Sequence, residues 1–455
     1  MSVIETESPA CGVIETPALS RARAGAAIGV HSVCDFFSFM AVSLLPLLGA
    51  RLELRNDQVA LLLGLGSVTS GVIQPAVAWA SDRLDTRWLG TIGLLVAVVC
   101  ISLIGRARTF EQLLLLHGVG AAGIGAFHPP AAACVGQLAG RRRSLGVALF
   151  FLAGMLGGVA GNVFTPRIVD AFAAARPIEH TIGVPALAWA RVAWLEPDVA
   201  FGLRSLAWMI APGVIAVVVL GWAIHRVPHR HHAAHENHNN LTRAQKRARW
   251  GAVWILYITN LLRFSANMAL IYLFAEWAER HVLVRNDADG LTDALGLEAS
   301  SLNGPLQGMM QVGMGGGGIL LGIFLSVRYE KLAFVGFPLL GALAVALVPS
   351  AGEVEGAGTA LVFALAVLSG VGFGSVIPVS MSLAQRLLPH RTSMASGLML
   401  GGAWAFAFIG PKWAQLVQDR FDLDAAFYVT SGSLVIAAVC AMLLPDRLIR
   451  GSAAH

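Results

Sequence analysis

The chain has 455 residues, of which 56% are hydrophobic and only 13% are charged, and its mean hydropathy is +0.69. This composition excludes an ordinary soluble domain, because runs of about 20 apolar residues, enough to cross a bilayer core of about 30 Å, recur along the chain. The net charge of +5 needs no nucleic-acid partner, since basic loops that face anionic lipid account for it.

The apolar runs predict twelve transmembrane helices, six on each side of a polar stretch. In the first half they cover residues 24–49, 58–81, 88–105, 110–138, 145–172 and 201–225. In the second half they cover residues 251–278, 304–327, 332–350, 359–385, 392–418 and 425–444. The predicted fold class is an all-α polytopic membrane protein, and the arrangement of six plus six helices indicates two pseudo-repeated halves around a site at the midplane.

Most lysine and arginine residues fall in segments that are inside if the N-terminus is cytoplasmic, which places both termini in the cytoplasm. We expect the inner membrane of a bacterium, and no signal peptide, because residues 1–20 have no basic start and no short apolar core. The predicted units are a cytoplasmic tail (1–23), a first half (24–225), a linker (226–250), a second half (251–444) and a second tail (445–455).

Three polar regions need comment. The linker is rich in histidine, which allows metal capture, although the irregular spacing favours a solvated, lipid-facing linker. The predicted outer segment 173–200 contains prolines and tryptophans and is expected to be an interfacial loop with a short amphipathic piece. The predicted outer segments and their flanks also hold arginines, including Arg51, Arg106, Arg108, Arg176 and Arg204.

The five cysteines have no pair spacing, so no disulfide or zinc site is expected.

A loop motif connects the sequence to a known family. Ala78-Trp-Ala-Ser-Asp82-Arg83-Leu-Asp85-Thr-Arg87 resembles the signature Gly-x-x-x-Asp-Arg-x-Gly-x-Arg of the major facilitator superfamily, with Ala78 and Asp85 replacing the glycines. The resemblance implies that Asp82, Arg83 and Arg87 form a charge latch that is remade as the halves rock. The alternative is ordinary anchoring by positive charge. At the equivalent place in the second half, Ser326 stands where the aspartate would be.

Within that superfamily the chain resembles the fosmidomycin-resistance efflux group. The resemblance is carried by His31-x-x-x-Asp35, by Phe127-His128-Pro129 and by Met394-Ala-Ser-Gly397. It implies proton-driven efflux of a drug such as fosmidomycin. Asn162 follows the glycines of helix 5 where drug antiporters often have proline, so the direction of transport stays open.

Ionisable residues inside the predicted helices are the candidate site. His31 and Asp35, four residues apart, share one face of the first helix. A charge at a helix centre costs about 2.5–3.5 kcal/mol on insertion scales, so it is expected to face a cavity or a partner. Asp35 is the predicted proton carrier. His128, followed by two prolines, is predicted to relay protons or to bind an anionic solute; the alternative for both histidines is a buried, hydrogen-bonded structural role.

The second half supplies the predicted solute-binding residues. Arg263, close to Asn260, carries a forked guanidinium suited to a carboxylate, phosphonate or phosphate; it could also pair with Asp35 in one conformation. Gln307 and Gln311 share a face of the eighth helix, where they contact the solute or pack between helices.

These features predict a secondary transporter that moves a small anionic or amphiphilic solute by proton-coupled alternating access. Efflux is the leading direction, the proton gradient is the energy source, no cofactor or metal is expected, and the chain is expected to be a monomer. One alternative is uptake of an organic acid or sugar, proton-coupled or facilitative. Another is a membrane receptor or scaffold that transports nothing. We expect no enzyme, because the sequence has no nucleophile motif, H-E-x-x-H motif or phosphate loop.

Overall fold

The computed structural model describes residues 17–81, 87–139, 143–183, 191–225, 242–388 and 391–451. The first half contains α1 (Pro17–Ser43), α2 (Leu45–Leu52), α3 (Asn56–Ser81), α4 (Arg87–Ser102), α5 (Phe110–Leu138), α6 (Arg143–Ala174), α7 (Val199–Ser205) and α8 (Ile210–Ile224), with 3-10 turns at Ile104–Arg106 and Leu206–Met209. The second half contains α9 (Arg243–Asn286), α10 (Asp293–Phe324), α11 (Glu330–Gly352), α12 (Gly358–Gly374), α13 (Ile377–Leu387), α14 (Thr392–Gly397), α15 (Ala403–Phe406), α16 (Ile409–Arg420), α17 (Leu423–Met442) and α18 (Asp446–Gly451), with a 3-10 turn at Val327–Tyr329.

Ten helical stretches among the described residues are long and apolar enough to cross a membrane. The two remaining predicted spans are occupied by α10 and by the broken segment α14–α16. The predicted all-α polytopic fold is confirmed. Helix α1 begins at Pro17 and α9 at Arg243, both earlier than predicted, and α9 starts with a capping box of Thr242 and Gln245.

Part of the predicted interfacial loop is instead a β-hairpin. Strand β1 (Pro177–Gly183) pairs antiparallel with β2 (Arg191–Pro197), and Glu179 lies opposite Leu195. This hairpin was not predicted from the sequence. β-Branched residues are frequent in β1, and such residues favour extended backbone.

Helix breaks create the contacts that join the halves. Pro46 has no N–H, so the carbonyl oxygen of Val42 loses its intrahelical donor. Asn303 of α10 replaces that donor, with its Nδ2 at 2.9 Å from the Val42 oxygen. The backbone N–H of Leu47 donates to Oγ of Ser300, also in α10, at 3.0 Å. Side chains of the second half therefore form hydrogen bonds with the backbone at the break between α1 and α2.

The eleventh span is broken by a π-turn at Leu398–Gly402, between α14 and α15. Such turns leave backbone carbonyls free for other partners. The carbonyl oxygen of Met399 accepts from Asn260, and that of Gly402 accepts from the Tyr257 hydroxyl at 3.2 Å. Just beyond the turn, the carbonyl oxygen of Trp404 accepts from Ser67 of α3 at 2.6 Å. This break therefore also ties one half to the other.

Polar links between the halves continue at the side predicted to face away from the cytoplasm, called the predicted outer side below. Arg51 pairs with Asp293 at 2.6 Å, and Asn56 donates to Asp419 at 2.8 Å. The described residues are thus held together at the predicted outer side.

The predicted latch residues Asp82 and Arg83 lie outside the described residues, as does the side chain of Arg87, the first residue of α4. The same holds for residues 1–16, most of the linker (226–241) and residues 452–455. In the second half, Glu330 provides a carboxylate near the position where Ser326 has none. It pairs with Arg386 at the end of α13, at 2.6 Å.

Candidate proton and solute site

His31, Asp35 and His128 form one cluster between α1 and α5. Nε2 of His31 lies 3.5 Å from Oδ2 of Asp35, and Nε2 of His128 lies 3.3 Å from Oδ1 of the same carboxyl group. The two imidazole rings stand at 86° to each other with centroids 5.0 Å apart. Two residues of one helix face and a third from another helix therefore converge on a single carboxyl group.

Backbone carbonyls fix which ring nitrogens carry hydrogen. Nδ1 of His31 lies 2.6 Å from the carbonyl oxygen of Phe150, and Nδ1 of His128 lies 2.7 Å from that of Ile124. A carbonyl oxygen only accepts, so each Nδ1 must donate, and a neutral ring then has a bare lone pair on Nε2. Both lone pairs would point at Asp35, whose carboxylate also only accepts. A favourable contact therefore requires at least one further proton, bound to the carboxyl group of Asp35 or to Nε2 of His31 or His128.

The cluster is enclosed by aromatic side chains but stays accessible. The ring of His31 stacks on that of Phe150 with a centroid distance of 3.8 Å, and the ring centroid of Phe127 lies 5.7 Å from that of His31. His31 is 2% exposed, whereas Asp35 and His128 are 17% and 23% exposed. Asp35 and His128 are thus partly exposed, while His31 lies on the buried side of the cluster.

Close packing of α6 against α1 depends on Gly154. A Cβ at that position would overlap Cε1 of His31 and would lie 2.6 Å from Oδ2 of Asp35. The absence of a side chain lets α6 deliver the Phe150 carbonyl to His31. Imidazole and carboxylate are also ligand types for divalent metals, and the ligand atoms of the cluster lie within 4.8 Å of one another. A proton shared among the three side chains is sufficient to link them, without a metal ion.

Arg263 lies in a separate buried polar group of the second half. It is 1% exposed, its Nε donates to the carbonyl oxygen of Thr259 at 3.2 Å, and its Nη2 contacts Oδ1 of Asn260. Its Nη1 has no hydrogen-bond partner among the described residues. Arg263 forms no ion pair with Asp35 in this conformation. One edge of the guanidinium group is therefore held in place, whereas Nη1 at the other edge is buried without a partner among the described residues.

The remaining predicted solute-binding residues hold helices together in this conformation. Asn260 also donates to Oγ of Ser380 at 2.9 Å. Gln307 donates to the carbonyl oxygen of Ile271 at 3.0 Å, and Gln311 accepts from Asn162 of α6 at 3.3 Å. The two glutamines of α10 therefore bond to different neighbours, and within the described residues their hydrogen bonds do not include His31, Asp35 or His128.

Sequence reasoning missed the supporting residues Phe150 and Asn303. The sequence gives little indication of either role, because an aromatic residue and an asparagine in apolar helices have many roles. Nothing in the sequence connects Gly154 to His31 and Asp35, because their contact depends on how α6 packs against α1.

A family model described as the Major Facilitator Superfamily matches residues 28–411. The chain belongs to the major facilitator superfamily. It is 21% identical over 449 residues to the fosmidomycin resistance protein of Escherichia coli (strain K12), an alignment that covers 98% of this chain and 99% of that protein. The superfamily is one of integral membrane transporters, which is the class that the sequence predicted.

Solved structures of superfamily transporters show the same fold. The nucleoside transporter NupG superposes with a TM-score of 0.66 at 13% identity, covering 93% of this chain and 98% of that chain. A bacterial homologue of the human lysosomal transporter Spinster, in an inward-facing and unoccupied conformation, superposes with a TM-score of 0.63 at 16% identity, covering 95% of this chain and 97% of that chain. At these identities the likeness concerns the fold alone.

Proposed function

We propose that this chain is a proton-coupled secondary transporter that exports a small anionic or amphiphilic solute. It works as a monomer, by alternating access of its two halves, in a bacterial inner membrane with both termini in the cytoplasm. By similarity to the fosmidomycin resistance protein, a phosphonate drug of that kind is the leading solute. Asp82, Arg83 and Arg87 act as the gating latch in this proposal.

The cluster of His31, Asp35 and His128 carries the proposal. Its ring tautomers are set by two backbone carbonyls, so the carboxyl group and the two Nε2 atoms must share a proton to be in favourable contact. Ionisable groups inside membrane helices are costly and mark proton relays or ion pathways. Loading and unloading of this shared proton is the coupling step.

Arg263 is the proposed anion ligand. Its Nη1 is buried without a partner among the described residues, in a guanidinium that Asn260 and Thr259 hold in a fixed orientation, so this donor would bind an oxyanion once rocking of the halves opens the site. The cluster and Arg263 lie in opposite halves. Rocking of the halves about the contacts at the predicted outer side would change how the two sites face each other, and this change couples proton release to solute release.

The test is proton flux in proteoliposomes that hold the purified chain and a pH-sensitive dye, under an imposed pH gradient. Fosmidomycin is added first, followed by simple phosphonates and carboxylates. We expect solute-triggered flux that disappears in Asp35→Asn. Full gradient-driven transport by Asp35→Asn would defeat the proton assignment.

Asp57→Asn is the matched control, because Asp57 is a 45% exposed carboxylate paired with Arg55 at 2.9 Å. It should retain the flux of the wild type. In intact cells, depletion of the solute supports export and accumulation supports uptake. Unchanged function after combined neutralisation of Asp35 and Arg263 would instead support a scaffold.

A further inference from the structure

One cavity of about 450 Å³ at the predicted outer side is lined by arginines from four separate segments of the first half. They are Arg51 in α2, Arg106 and Arg108 after α4, Arg176 after α6, and Arg204 in α7. Among the described residues, no carboxylate lines this cavity. Like charges brought together repel one another, so the arrangement favours an anion that would neutralise them.

The arginines of this cavity differ in their partners. Arg51 pairs with Asp293, and the guanidinium of Arg176 lies 5.0 Å from the ring centroid of Phe201. Arg106, Arg108 and Arg204 form no ion pair with any residue that the structure describes. Three guanidinium groups in the cavity are therefore free to bind a ligand.

Backbone packing brings two of these free groups together. A Cβ at Gly105 would overlap the carbonyl oxygen of Leu203, so the 3-10 turn that carries Arg106 packs directly on α7, which carries Arg204. A larger residue at Gly105 would push the two segments apart. The convergence of Arg106 and Arg204 is thus a consequence of the fold, and free side-chain rotation alone does not explain it.

The cavity also contains residue types that are typical of the bilayer surface. Trp208 lines it and is 71% exposed. Exposed tryptophan is typical of the headgroup level of a bilayer, where one part of the ring meets lipid and the indole N–H meets water. Basic residues at this depth meet the phosphates of lipids and of solutes that approach the membrane.

We propose that this cavity binds a phosphate or phosphonate group at the membrane surface. The group belongs either to an anionic phospholipid of the adjoining leaflet or to a soluble oxyanion. The planar guanidinium of arginine donates two parallel hydrogen bonds to such oxygens, which makes several converging arginines a suitable site. This site shares no residue with the His31–Asp35–His128 cluster, so its test does not depend on transport activity.

The experiment measures binding by the full chain in nanodiscs. Inorganic phosphate and methylphosphonate are titrated calorimetrically into nanodiscs of phosphatidylcholine, and retention of phosphatidylglycerol is measured by native mass spectrometry in mixed nanodiscs. The variant is Arg106→Gln with Arg204→Gln. Its matched control is Arg55→Gln with Arg280→Gln, which removes the same charge from arginines that have acidic partners outside the cavity.

We expect at least one probe to bind to the wild type and the control, and to bind about tenfold more weakly to the cavity variant. Binding of phosphatidylglycerol alone identifies a lipid site, whereas binding of phosphate or methylphosphonate in phosphatidylcholine nanodiscs identifies a soluble oxyanion. Absence of binding by the wild type, or equal binding by wild type and cavity variant, overturns the proposal. Arg108→Gln is a further cavity variant with a single substitution, and it should also weaken binding.

Discussion

His128 faces Asp35 through Nε2, at 3.3 Å from Oδ1, while its Nδ1 is held by the carbonyl oxygen of Ile124. His128→Gln keeps a polar side chain beside Asp35 but cannot take up a proton. We expect solute-triggered proton flux to fall by about tenfold or more, because histidine is the side chain best suited to proton relay near neutral pH. Solute binding, measured by calorimetry, should persist.

His180→Gln is the control for this substitution. His180 lies in the hairpin, is 41% exposed and pairs with Glu196. Its replacement should leave proton flux unchanged. If His128→Gln also leaves flux unchanged, Asp35 and His31 are sufficient for coupling and His128 is not part of the relay.

Gly154→Ala tests the close approach of α6 to the cluster. The added methyl group would overlap the His31 ring and press on Asp35, and such overpacking costs about 1–3 kcal/mol. We expect a lower melting temperature and strongly reduced proton flux in protein that still folds. Gly29→Ala in α1 is the control, since a Cβ there meets no atom within 4 Å. Equal flux in the two variants would mean that the cluster tolerates displacement.

The sequence predicted one part of the cluster, because the spacing of four residues places His31 and Asp35 on one face of a helix. It could not predict how the ring nitrogens are oriented. The Phe150 carbonyl that fixes His31 is 119 positions away in sequence and has no side-chain signal. Charge counting likewise assigned Arg106 and Arg204 to the outer side, but only the packing at Gly105 brings them into one cavity.

The pseudo-repeat was also only partly visible. Ser326 stands where the first half has Asp82, and a few residues further on Glu330, at the start of α11, pairs with Arg386 of α13. No motif singled out this pair, because its two residues lie 56 positions apart in the sequence.

Asn303→Leu tests the link between Asn303 and the Val42 carbonyl. The substitution leaves that oxygen buried without the donor that Pro46 cannot supply, so we expect a loss of about 1–3 kcal/mol in stability. Thermal unfolding of the purified protein measures it. Asn286→Leu is the control: its side chain is exposed and donates to Val282 of its own helix at 2.9 Å and to Glu298 of α10 at 3.1 Å. Because water can replace these partners at the surface, its effect should stay below about 1 kcal/mol.

Arg263→Lys keeps the positive charge of Arg263 but removes the fork that presents Nη1. We expect the KM for the exported anion to rise by about tenfold, because the single ammonium group of lysine cannot keep the contacts with Thr259 and Asn260 and also place a donor where Nη1 lies. Initial rates in proteoliposomes measure it, and exposed Arg280→Lys is the control. An unchanged KM would make Arg263 a structural cation that orients Asn260 and nothing more.

The ion pair of Glu330 and Arg386 has an exposed counterpart for comparison, the pair of Lys331 and Asp446 at 3.0 Å. Glu330 is 9% exposed and Arg386 21%, whereas Asp446 is 58% exposed. In a double-mutant cycle to glutamine, we expect a coupling of about 2 kcal/mol for the first pair and below about 1 kcal/mol for the second, because water screens the exposed charges. Equal couplings, measured by chemical unfolding, would show that burial does not strengthen the first pair. A large coupling confined to Glu330 and Arg386 would mean that this ion pair fastens α11 to α13 at the predicted cytoplasmic side, where Ser326 replaces the expected aspartate.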